Sequence, residues 1–116
     1  MSHEPPAELR TIEWLPPWEP TDADLGAELR REVGPGHPLF EHPVVTVGRR
    51  VDCDDVLFWL PSGPRELAVV HLTWTGKRER SSEWPSTQLY SSIADWVEHS
   101  MRVDYGEYSR RDQPRT

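Results

Sequence analysis

A chain of 116 residues has room for one domain and one core, and at that size folding needs neither a metal nor a disulfide. Its 20 acidic and 13 basic side chains leave a formal charge of -7, which argues against a general nucleic-acid binder, because phosphates are neutralised by clustered lysine and arginine. The lone Cys53 has no partner in the chain, no stretch approaches the ~20 apolar residues of a membrane span, and the start Met-Ser-His-Glu-Pro-Pro lacks the basic and apolar regions of a signal peptide. A cytoplasmic protein without membrane contact is expected.

Acidity suits either plain solubility or a basic partner. Among the basic side chains only Lys77 is lysine, and the arginines are scattered rather than clustered. Twelve prolines imply many breaks in the chain, and six tryptophans are many for this length. Each indole brings a large apolar surface and an N–H that needs a partner, so tryptophans fill a thin core or mark a binding surface. Core filling is expected of Trp59 and Trp96, whereas Trp74 and Trp84 fit either role.

Residues 1–20 hold Pro5, Pro6, Pro16, Pro17 and Pro20 and read as an extended arm. Ile12, Trp14, Leu15 and Trp18 are placed to anchor that arm on the body. Thr21 to Asp24 resembles a helix start with Thr21 as the cap, followed by an apolar stripe of Leu25, Leu29 and Val33. Glu28, Arg30, Arg31 and Glu32 fall off the stripe. Gly34-Pro35-Gly36 stops this helix.

After a proline-broken connector come three strands, Val44–Val51, Asp55–Leu60 and Glu66–Trp74, rich in β-branched and aromatic residues. The gaps between them are too short for crossover helices, so an antiparallel meander is expected. Val56, Phe58 and Leu60 alternate with Leu57 and Trp59, and Ala68, Val70 and Leu72 alternate with Leu67, Val69 and His71. Both faces are therefore apolar and both must be covered, one by helices and the other in part by the arm or a second copy. A polar loop runs from Thr75 to Thr87, with an extra strand allowed at Leu89–Ser91. A second helix starts at a Ser92 cap and buries Ile93, Trp96, Val97 and Met101. Residues 21–104 thus form one α+β domain with a helix before the sheet and one after it, and residues 105–116 read as a frayed polar tail.

The chemistry-bearing residues are few. Asp52, Asp54 and Asp55 make an acidic turn without the spacing of a calcium loop. Cys53 lies between acids that disfavour its thiolate. His37 and His42 lack zinc-site neighbours and read as solvated loop histidines. His71 belongs in or at the end of a central strand, with Thr73 facing the same way. Buried, it would be structural; partly exposed, it is the one candidate acid, base or ligand anchor. Lys77 and Arg78 follow in the loop, where they suit an anion, although no phosphate-binding glycine loop surrounds them. No cofactor and no metal is expected.

The strings Glu-Leu-Arg-Arg-Glu-Val-Gly-Pro-Gly-His-Pro-Leu (28–39), Asp-Asp-Val-Leu-Phe-Trp-Leu (54–60), Ala-Val-Val-His-Leu-Thr-Trp-Thr-Gly-Lys (68–77) and Trp-Pro (84–85) resemble a set of small uncharacterised bacterial proteins. The resemblance runs from Leu25 to Met101 and implies no activity, cofactor or partner. From the residues themselves the leading expectation is a non-enzymatic module binding a protein or small ligand through His71, Thr73, Trp74, Lys77, Arg78 and Trp84. An immunity or antitoxin role against a basic toxin is one form of it. The alternatives are a small hydrolase or transferase using His71 as acid/base, and a structural homodimer.

Overall fold

Alternating apolar side chains in the middle of the chain build a sheet that is buried on both faces. The computed structural model describes residues 4–63, 65–81 and 83–111. In chain order these form α1 (Glu8–Thr11), β1 (Trp18–Pro20), α2 (Gly26–Glu32), β2 (Val45–Arg50), β3 (Asp55–Trp59), β4 (Leu67–His71), β5 (Ser86–Tyr90), α3 (Ile93–Trp96), a π turn (Val97–Met101) and α4 (Arg102–Arg111). The five strands lie in sequence order, and every neighbouring pair is antiparallel. The α+β meander expected from the short connections is the fold. None of the described helices is long and apolar enough to cross a membrane.

Strand alternation divides the core into two. On one face Val56, Phe58, Ala68, Val70 and Leu72 pack against Leu29 of α2, Val33 just beyond it and Leu39 of the connector. On the other, Leu57 and Leu67 meet Leu9, Trp18, Ile93, Trp96 and Met101. Burying each of these larger side chains contributes about 1.5–3 kcal/mol. Trp96 is fully buried, with Trp18 edge-on at 5.3 Å and Trp14 at 5.6 Å. The arm therefore docks on its own body with Ile12, Trp14, Leu15 and Trp18 as anchors, and it adds β1 to the sheet edge.

Several local expectations need correction. Thr21 does not cap a helix. Its Oγ accepts the Ala23 N–H, a local turn that competes with helix, and α2 begins only at Gly26. The loop after β4 gives up Ser86 and Thr87 to β5, so the extra strand spans Ser86–Tyr90 rather than Leu89–Ser91. The Ser92 cap is present, accepting the Asp95 N–H at 3.0 Å. Beyond Asp104 the chain stays helical to Arg111 with no buried residue, held on its surface by pairs such as Arg111–Glu107. The rest of the expected tail, 112–116, lies outside the described residues.

Candidate functional site

The face that carries Trp96 changes character along the strands. At the Trp59–Leu67 end it is apolar; at the other end the same alternation brings up Asp55, His71 and Ser86. Asp55 pairs with His71 across β3 and β4, and His71 pairs with Ser86 across β4 and β5, so the three form one row across the sheet. Arg50, at the end of β2, closes one side. Its Nε and Nη2 donate to Asp52 at 2.9 and 2.8 Å, and its Nη1 lies 3.4 Å from Asp104 and 3.7 Å from Asp55.

The roof is helical. The π turn and the start of α4 bring His99, Ser100 and Asp104 over the row, enclosing with Gln88 and Tyr90 a polar cleft of about 220 Å³. A π turn accommodates one extra residue per turn and recurs at functional sites. It buries Ser100 and Met101 together. Trp18 Nε1 donates to Asp104 at 2.8 Å, tying the roof to the arm.

Within the cleft His71 is about half exposed, and its Nδ1 donates to the Asp55 carboxylate at 2.8 Å. Its Nε2 has no protein partner among the described residues. His99 Nδ1 sits 2.9 Å from Asp95. Burial opposes charge on Arg50, but its hydrogen bonds to Asp52 and the field of Asp104 win, so its pKa is raised. The same Arg50 bonds hold Asp52 below the usual carboxylate range. Burial pushes the Tyr90 phenol up against an opposing hydrogen bond with Ser100, leaving a neutral hydroxyl. Carboxylates outnumber the single guanidinium, and that guanidinium is already engaged.

The expected site residues do not all come together. β4 ends at His71, after which the chain turns toward α2 and Trp74 adopts φ 59°. Thr73 therefore does not share the His71 face: its N–H donates to Glu32 at 2.9 Å and its Oγ to Glu79 at 2.6 Å. Trp74 and Trp84 are about half exposed at the base of the β4–β5 loop, at 49% and 47%. Lys77 is exposed. Arg78 lays its stem along Gly34 and its guanidinium 5.7 Å over Phe40.

Two carboxylates that lie off the apolar stripe of α2 are buried all the same. Glu32, at 0% exposure, accepts the N–H groups of Thr73 and Trp74, while Glu28 accepts that of Gly76 and pairs with Arg31 at 2.9 Å. Burial and the neighbouring Glu28 raise the pKa of Glu32. The hydrogen bond from Glu32, helped by Gly76 and Arg31, lowers that of Glu28 despite burial.

His37 is also no solvated histidine. Its Nδ1 accepts the Leu39 N–H and its Nε2 donates to the Pro85 carbonyl at 2.9 Å, locking the connector to the start of β5. Cys53 has a raised pKa as expected, chiefly because of burial, with the charges of Asp55 and Asp52 adding to it against a backbone hydrogen bond. The sequence signal for the cleft was Asp55 and His71 on like-facing strand positions. Nothing local pointed to Tyr90, His99 or Asp104.

A larger groove of about 690 Å³ beside α1 is lined by Pro6, Leu9, Trp14, Val45 and Val47 together with Arg10, Asp22 and Thr46, and holds no histidine. Fold and site together define an α+β protein whose sheet is covered on both faces, with a polar cleft between the sheet and its C-terminal helix. No family model matches the chain, and no curated protein or solved structure does either.

Proposed function

We propose that the protein is a non-enzymatic binding module that holds a small polar ligand in the cleft. The observation that carries this reading is the convergence of Asp55, His71, Tyr90, His99 and Asp104 on one cavity with His71 Nε2 unengaged. Such convergence of polar groups is what orients a bound molecule. The surplus of carboxylate over guanidinium favours a hydrogen-bond donor, a small amine above all, over an anion. The volume suits a ligand of few heavy atoms.

Thermal shift with ethanolamine, putrescine and inorganic phosphate tests the reading. Amines are expected to raise the melting temperature of the wild type in a concentration-dependent way, and to do so less for His71→Ala and Tyr90→Phe. Stabilisation by phosphate alone, or by none of the three, counts against it.

The Asp55–His71–Ser86 row favours one second reading, a hydrolase in which His71 acts as base toward Ser86. Release of nitrophenol from p-nitrophenyl acetate that is lost in both His71→Ala and Ser86→Ala would favour this enzyme over the binding module.

A further inference from the structure

Antiparallel pairing determines which backbone groups of β5 are left over. Leu60 N–H donates to the Glu66 carbonyl and Leu72 N–H to that of Asp54. Hydrogen bonding alternates along a strand, so Glu66, Ala68, Val70 and Leu72 are bonded toward β3. Leu67, Val69 and His71 are then bonded toward β5, where their register partners are Tyr90, Gln88 and Ser86. Thr87 and Leu89 consequently turn both N–H and C=O away from the sheet, and no other backbone bond among the described residues takes them up.

The two edges of the sheet are treated differently. β1 is three residues long and carries Glu19 and Pro20, features that discourage further pairing. β5 spans five residues, Ser-Thr-Gln-Leu-Tyr, with no charge, no proline and an unbroken register. We infer that β5 is the surface through which two copies of this chain associate, pairing antiparallel about a two-fold axis at Gln88.

The edge is complementary to itself. Thr87 and Leu89 are symmetric about Gln88, so the Thr87 of each copy meets the Leu89 of the other and four N–H···O bonds form at once. Gln88 faces its own copy as the close, non-hydrogen-bonded pair. A chain with a formal charge of -7 repels its like, and β5, which has no charged residue, adds nothing to that repulsion. The pairing closes after two copies, because only the guarded β1 edges remain exposed. Since Gln88 lines the cleft, the two clefts would adjoin across the axis. The inference is independent of what the cleft holds.

Light scattering coupled to size exclusion tests it through an exposed side chain. Wild type is expected at twice the 13.5 kDa chain mass. Gln88→Lys and Gln88→Glu set like charges against each other on the axis and should each run as monomers, with circular dichroism unchanged. Mixed in equal amounts, they should recover the dimer, because Lys then faces Glu. A monomeric wild type, a dimer indifferent to either substitution, or a mixture that stays monomeric would each overturn the proposal.

Discussion

Asp55 and His71 are direct cross-strand partners, and His71 Nδ1 lies 2.8 Å from the Asp55 carboxylate while the rest of the ring remains open to the cleft. The register of β3 against β4 makes this pair, because a slip of one residue would turn Asp55 into the opposite core.

A partly exposed histidine–carboxylate contact contributes little to stability, so His71→Ala is expected to cost less than about 1 kcal/mol in urea unfolding. Histidine resonances reporting the cleft should respond to amines in the wild type and to none in the variant. A loss of several kcal/mol would make His71 a structural residue instead.

Glu32 holds the turn that follows β4. Replacing it with alanine leaves the Thr73 and Trp74 N–H groups without an acceptor, at about 1–3 kcal/mol each, and Glu32→Gln is expected to cost about half as much because one acceptor survives. Amide exchange should accelerate from Thr73 to Glu79 while β3 stays protected. Equal exchange in wild type and Glu32→Ala would show that the clamp is not what holds the turn.

Burial keeps His37 below the ordinary histidine value of 6.5, and its Nδ1 must stay unprotonated to accept the Leu39 N–H. The unfolded chain takes up this proton at higher pH than the folded one. The stabilisation is therefore complete above the unfolded value and is lost as pH falls through the lowered folded value. Between about pH 7.5 and 5.5 the urea midpoint should fall more steeply for wild type than for His37→Asn. Parallel curves for the two proteins would refute this.

Gly48 in β2 lies under an indole. A Cβ built there falls 2.7 Å from two ring carbons of Trp14, which itself packs on Trp96. Gly48→Ala should cost about 1–3 kcal/mol by overpacking and alter the near-ultraviolet circular dichroism of the tryptophan cluster. An unchanged spectrum and midpoint would mean that the arm shifts freely.

Periodicity made the sheet legible. Val56, Phe58 and Leu60 against Leu57 and Trp59, repeated at Ala68, Val70 and Leu72 against Leu67 and Val69, require two buried faces whatever covers them, and Ser92 declares its helix through a hydrogen bond three residues away. Such features depend on neighbours in the chain, so the sequence by itself determined them. The helical pattern does not reveal that Glu28 and Glu32 are buried, because their N–H partners come from Thr73, Trp74 and Gly76, more than forty positions on. His37 was misread for the same reason, since its carbonyl partner is Pro85. The Asp55–His71–Ser86 row, the roof of His99 and Asp104, and the outward face of Thr87 and Leu89 arise only once strand register and helix docking are set. Composition carries no distances between remote residues, so tertiary structure alone decided where the polar groups converge.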